Sequence, residues 1–128
     1  MLKQCICGSG KAQLKCCTPL LNGTKVAKTP VQLMRSRYSA YAVGGYGEYL
    51  LETWLPVMTK GLTAAELSVR SYEWIRLEVI SKSQQGDTGQ VEFKAFYLNA
   101  NGQEAVQHEN SIFLRVKGRW YYVGGDLA

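Results

Sequence analysis

Beyond residue 17 the chain contains no cysteine, and its first 29 residues contain no aspartate or glutamate. Only one histidine, His108, is present in 128 residues. No run of eighteen apolar residues occurs, so neither a spanning helix nor membrane association is expected. Met1-Leu2-Lys3-Gln4-Cys5 offers no apolar stretch of the kind a secretory leader needs, and the expected compartment is the cytoplasm. There, clustered thiols bind metal or carry redox chemistry more often than they form structural disulfides. No aromatic residue lies among the lysines that precede Tyr38, so that segment cannot build a base-stacking surface by itself. Repeats and low-complexity tracts are absent as well. A composition of 46% hydrophobic and 20% charged residues fits one globular domain with a small appendage.

The confined cysteines and the missing acids define the same short segment. It reads Cys5-Ile6-Cys7-Gly8-Ser9-Gly10-Lys11 and then Cys16-Cys17, with eight residues between Cys7 and Cys16. Four thiolates are the ligand set of one tetrahedral zinc site, and two close pairs separated by a turn can converge on one ion. Gly8 and Gly10 permit the sharp bends that such a loop needs. Residues 1–29 also hold Lys3, Lys11, Lys15, Lys25 and Lys28, whereas the remainder balances ten basic with ten acidic residues, so the net charge of +5 sits on the cysteine-bearing segment. Four thiolates with one divalent ion stay anionic, and these lysines offset them. The same lysines are an electrostatic footprint for nucleic acid or an acidic partner. A redox reading stands beside the metal: adjacent Cys16-Cys17 could close a strained disulfide or act as a sensor pair. Gly8-Ser9-Gly10-Lys11 is not a phosphate loop. Ala12 stands where Ser or Thr is needed, the Gly-x-x-x-x-Gly-Lys spacing is absent, and no strand precedes it.

Residues 1–18 are too few to build a core, so a metal has to organise them, and residues 19–29 read as a linker. On that view a change at Cys7 or Cys16 unfolds residues 1–18 and spares the rest. Thr29-Pro30 opens a helix with Thr as N-cap and Pro in the first turn. Val31, Met34, Tyr38, Tyr41 and Ala42 form its apolar stripe, Arg35, Arg37 and Ser39 fall mostly elsewhere, and Gly44-Gly45 stops it. A second helix is predicted over 46–54 and ends before Pro56. Thr63-Ala64-Ala65-Glu66 has the capping-box spacing for a short third near Leu67. From Tyr72 the period becomes two, with Trp74, Arg76, Glu78 and Ile80 opposing Ile75, Leu77 and Val79. Turns at 85–89 and 99–102 and a break at Lys117-Gly118 divide the remainder into strands whose short loops imply antiparallel pairing. Helices followed by a four-stranded meander give an α+β fold, with the helices packed on one face of a curved sheet.

The spacing Cys5-x-Cys7-Gly8-Ser9-Gly10-Lys11 followed by Cys16-Cys17 resembles the SEC-C motif, the small zinc module also found at the C-terminus of the SecA translocation motor. The resemblance implies that Cys5, Cys7, Cys16 and Cys17 coordinate Zn²⁺. Residues 30–41, Val91-Glu92-Phe93, His108-Glu109-Asn110-Ser111-Ile112-Phe113 and Gly118-Arg119-Trp120-Tyr121-Tyr122 resemble the YchJ (UPF0225) family. That likeness implies an NTF2-like (cystatin-like) domain over 30–128 behind a SEC-C module over 1–18. It carries no assigned activity.

Function is expected to be that of a zinc-binding adaptor. By the SecA likeness, its module meets a chaperone, the translation or translocation machinery, or nucleic acid through the basic N-terminus. The alternative is an enzyme using a cavity of the NTF2-like domain, with His108 as base beside Glu92 or Glu109. Neighbouring strand residues face opposite ways, so His108 cannot share a cavity with Glu109 or Ser111 unless the strand bulges, and the carboxylate would come from another strand, as Glu92 or Glu78. Arg35 and Arg37 could bind an anion in a cleft, but are expected to be solvated or paired with acids of the sheet. Tyr38, Tyr41, Trp54, Phe93, Trp120 and Tyr122 are read as core, with Glu92 and Arg37 as partners for their polar tips.

Overall fold

The computed structural model describes residues 3–70 and 72–127. Within them, α1 (Cys17–Leu21), α2 (Pro30–Val43), α3 (Gly47–Glu52) and α4 (Ala64–Ser68) precede β1 (Glu73–Gln85), β2 (Thr88–Leu98), β3 (Glu104–Val116) and β4 (Arg119–Leu127). The strands form one antiparallel sheet in the order β1-β2-β3-β4, so each pairs with its neighbour in sequence. The expected α+β meander is the observed one. No helix among the described residues is long and apolar enough to cross a membrane.

Local chemistry sets the start of α2. Thr29 is extended, and its hydroxyl accepts from the Gln32 amide at 3.2 Å while Pro30 occupies the first turn. Thr63 caps α4 in the same way, accepting from the Glu66 amide at 3.1 Å. Each cap is worth about 1 kcal/mol.

A single apolar stripe does not describe α2. Leu33, Met34, Ser36, Arg37, Tyr38, Ser39 and Ala40 are all buried, because the helix is enclosed from three directions. Tyr38 meets Trp74 of the sheet edge-on, Ser36 bonds the Tyr49 hydroxyl of α3, and Ser39 reaches Cys17. This corrects the expectation for the arginines. Arg37 is only 5% exposed and donates through Nη1 to the Leu50 carbonyl and the Thr53 hydroxyl, both at 2.7 Å. Arg35 donates to the Cys7 carbonyl at 2.6 Å.

In the sheet, Val91, Phe93 and Ala95 face the helices, and the register places Ser111, Glu109 and Gln107 opposite them on the same face. A register shift between Trp74 and Arg76 sets Trp74 opposite Tyr97 and Leu77 opposite Ala95. Trp74 and Leu77 therefore share the inner face, where strict alternation would oppose them; an extra residue of this kind also bends the strand. Residues 53–55 run beside β4. Trp54 bridges Tyr122 in parallel, the Tyr122 amide donates to the Thr53 carbonyl at 2.7 Å, and the Leu55 amide donates to the Tyr122 carbonyl at 2.8 Å.

The cysteine segment is continuous with this core. Cys5, Cys7 and Cys17 are buried in one cluster with Leu33, Met34, Tyr38 and Leu77. Helix α1 crosses residue 18, the expected edge of the module, and buries Leu20 from the stretch expected as a linker.

Candidate metal centre and cavity

Two backbone devices gather the four cysteines. Residues 3–13 form a tight hairpin: Gln4 bridges Ala12, the Cys5 amide donates to the Lys11 carbonyl, and the Gln13 amide donates to the Lys3 carbonyl, both at 2.8 Å. The turn after Cys7 uses Gly8 at φ 78, whose amide donates back to the Cys5 carbonyl at 3.1 Å. A Cβ on Gly8 would press on the Leu77 carbonyl at 3.2 Å, so glycine also lets the turn lie flat against β1. On the other side a 3₁₀ turn over Gln13–Lys15 delivers Cys16 at its end, and Cys17 opens α1.

The result is four Sγ atoms within 4.8 Å of one another. Cys5, Cys7 and Cys17 are buried and Cys16 is partly exposed. A zinc ion about 2.3 Å from each sulfur sets the sulfurs about 3.8 Å apart, and Cys7 and Cys16 stand 3.6 Å apart. All four are free thiols, and that separation is far longer than an S–S bond of about 2.05 Å. The donor set and its spacing fit one tetrahedral, thiophilic metal ion.

The surrounding donors also suit bound thiolates. Ser39 of α2 donates to Cys17 Sγ at 3.2 Å, and the Ser9 hydroxyl lies 3.2 Å from Cys16 Sγ. The Cys7 thiol is drawn down to about 4, chiefly by its hydrogen bond with Cys17 and further by Ser9, against the opposing effect of burial. Cys17 is pushed up by the same bond with Cys7 and by burial, and burial raises Cys16. Burial and mutual hydrogen bonding thus push Cys7 and Cys17 in opposite directions; a coordinated metal deprotonates its thiol ligands outright. Ser39 and Arg35 were not foreseen as parts of the site. Helical spacing puts Ser39 one turn after Arg35, but nothing in the sequence says that this flank of α2 meets the cysteines.

Hydrogen bonds around a metal ligand orient it, and removing one typically weakens metal binding 10–100-fold. Ser39→Ala is expected to speed metal release by about tenfold, read as the rate of transfer to a colorimetric chelator. Thr24→Ala, an exposed change outside the site, serves as the control and should leave that rate unaltered.

The second concave feature is a cavity of about 340 Å³ between the sheet's inner face and α2, walled by aromatic rings. Its polar centre is Glu109. Oε2 accepts from the Ser111 hydroxyl and from the Tyr122 hydroxyl at 3.0 Å, and Oε1 accepts from Gln107 Nε2 at 3.2 Å. Gly125 makes room for it, since a Cβ there would lie 2.5 Å from Glu109 Oε2. His108 is not in this cavity. It alternates with Glu109, lies on the outer face beside Lys94, and pairs its Nε2 with Glu92 Oε2 at 2.7 Å. The anticipated His108–Glu92 contact forms, but on the wrong side of the sheet for chemistry in the cavity. Tyr38, Phe93 and Trp120 are buried in the core as expected, and Tyr38 and Phe93 also line the cavity together with Tyr41, Trp54 and Tyr122. Tyr122 is partnered by Glu109 and Trp120 Nε1 by the Lys28 carbonyl, not by Glu92 or Arg37.

A four-sulfur centre set into a helix-covered antiparallel sheet defines a cysteine-cluster protein of the SEC-C type with an NTF2-like body. Residues 29–125 match the family model for the YchJ middle NTF2-like domain. The chain belongs to the YchJ (UPF0225) family. A UPF0225 protein of Serratia proteamaculans is 40% identical over 98% of this chain and 84% of its own length. One from Corynebacterium glutamicum is 39% identical over 99% of both. The solution structure of a SEC-C motif containing protein from Rhodopseudomonas palustris superposes with a TM-score of 0.89 at 37% identity, covering 100% of this chain and 99% of that one. A crystal structure of a SEC-C motif containing protein from Psychrobacter arcticus gives 0.79 at 27% identity, covering 94% and 75%.

Proposed function

We propose that Cys5, Cys7, Cys16 and Cys17 hold one structural Zn²⁺ and that the chain is a non-enzymatic binding protein of the cytoplasm. The observation that carries this is the convergence of four Sγ atoms within 4.8 Å. All-thiolate tetrahedral sites suit zinc, and a site with four protein ligands leaves no open position for catalysis. Metal analysis of reduced protein should return one zinc per chain, with the four thiols resistant to a thiol reagent until a chelator is added. Protein without metal and with four freely titrating thiols would overturn the reading.

The partner-binding surface we assign to the cysteine segment. Lys3, Lys11, Lys15, Lys25 and Lys28 are all exposed, and among the described residues none of them is in an ion pair. Leu14 stands 65% exposed between Lys11 and Lys15. An exposed apolar side chain flanked in sequence by lysines suits an acidic protein surface better than a nucleic-acid backbone, and no aromatic residue precedes Tyr38 in the sequence to supply base stacking. A chaperone or a component of the translation or translocation machinery is the proposed partner. Its retention should fall with added salt and be lost in Lys11→Glu/Lys15→Glu. Salt-insensitive capture would remove the lysines from that role, and capture abolished by nuclease would replace the protein partner with nucleic acid.

A further inference from the structure

Arg37 and Glu109 are opposite charges buried against one cavity without touching. Arg37 Cζ stands 4.6 Å from the centroid of the Tyr122 ring, and Glu109 accepts the Tyr122 hydroxyl at 3.0 Å. One tyrosine ring therefore holds them apart. Among the described residues no ion pair includes either group. A buried charge is costly unless it is paired or fully hydrogen-bonded.

Neither charge is saturated. The two Arg37 hydrogen bonds to Leu50 and Thr53 both leave from Nη1, which is two of the guanidinium's five N–H donors. The ring of Trp54 lies 5.0 Å from Arg37 Cζ, and its buried Nε1 donor has no acceptor among the described residues. This end of the cavity thus offers donors and needs an acceptor. Glu109 receives three donors, where a carboxylate offers about four acceptor positions. That end needs one more donor.

The wall between α2 and β1 is aromatic: Tyr38 packs edge-on against Trp74 at 6.2 Å, and Trp74 against Tyr72 at 5.5 Å, with Tyr72 46% exposed at the mouth. From this arrangement we infer that the cavity binds a small zwitterion with a flat apolar body, of the class of a free aromatic α-amino acid. Its carboxylate meets Arg37 and the Trp54 indole N–H, its ammonium meets Glu109, and its ring lies against Trp74 and Tyr38. A net-neutral ligand leaves the charge of the cavity balanced. A phosphate dianion would face a single guanidinium with Glu109 close by. A cavity of about 340 Å³ lies at the small end of the range for organic ligands, too small for a nucleotide.

The test titrates the full metal-loaded chain with L-phenylalanine and L-tryptophan. Two truncated probes run alongside: 3-phenylpropionate, which has no ammonium, and phenethylamine, which has no carboxylate. The readouts are the NMR signals of the Trp54 and Trp74 indole N–H groups and of Arg37 Nε–H. Saturable shifts at these signals with at least one amino acid, and binding at least about tenfold weaker for both truncated probes, are expected; tenfold corresponds to about 1.4 kcal/mol for each lost end. Glu109→Gln should remove the advantage of the amino acid over 3-phenylpropionate while keeping the side chain's size. Should that variant not fold, the four-probe series on the unaltered chain decides alone. No saturable shift with either amino acid in the millimolar range, or equal binding of the truncated probes, overturns the assignment.

Discussion

Cys7→Ser, or removal of the metal by a chelator, is expected to lower the thermal midpoint of the whole chain by about 10–20 °C, equivalent to about 3–5 kcal/mol. A detachable module would give a different result, with residues 1–18 lost and the sheet unaffected. The structure argues for coupling. Cys7 has 0% exposure and shares the central cluster with Leu33, Tyr38 and Leu77. Its carbonyl is held by Arg35 from the middle of α2, and Gly8 rests on the Leu77 carbonyl of β1. Ser39 ties Cys17 to the same helix. With the proposed ion absent, polar sulfurs are left packed where the core closes, and Leu33 and Tyr38 are expected to lose their cover. The check is a single cooperative transition followed by near-ultraviolet circular dichroism from the tryptophans. If the stripped chain keeps its midpoint within a few degrees and loses only the signals of residues 3–18, the segment is independent.

Gly47→Ala is the second large effect, a loss of about 3 kcal/mol or more. Gly47 is the first residue of α3, and its amide donates to Ser68 Oγ of α4 at 2.8 Å. A Cβ there would run into the Ala64 carbonyl, which is α4 backbone and cannot turn aside as a flexible side chain can. Helix α4 must then shift, and with it Glu66 and Leu67, which form part of the cavity wall. Chemical denaturation should show the loss, and Gly124→Ala is its control. A Cβ on Gly124 meets nothing within 4 Å, so that variant should stay within about 0.5 kcal/mol of the parent.

What could be read before the structure divides along physical lines. Thr29-Pro30, Thr63 with Glu66, and the glycine-bearing turns announce themselves because capping and positive φ are properties of a few consecutive residues. The cysteine spacing was legible for the same reason. Helix α1 was missed because five residues carry no period, and Pro19, at the start of the stretch read as a linker, sits in a first turn where proline is tolerated. The roles of Arg35, Arg37 and Ser39 were missed because a stripe assumes one buried side, and α2 has three. Trp74 was set opposite Leu77, whose face it shares, because the register shift beside it leaves no mark in composition. Glu109 was seen, but as an auxiliary to His108. Its importance comes from Ser111, Gln107 and Tyr122 meeting it, and Tyr122 arrives from another strand.

An antiparallel sheet of four strands has two open edges, and each is a template on which another chain can add a strand. Here they are not alike. The short parallel run of residues 53–55 fills the backbone groups of Tyr122 on one border. The opposite border, β1, is bent by register shifts at Trp74/Arg76 and Val79/Ser81 and carries Lys82. Polymerisation by edge-to-edge stacking is thereby discouraged at both ends, by occupation on one side and by irregularity and charge on the other. Loosening the 53–55 run should therefore raise the tendency to aggregate as well as lower stability.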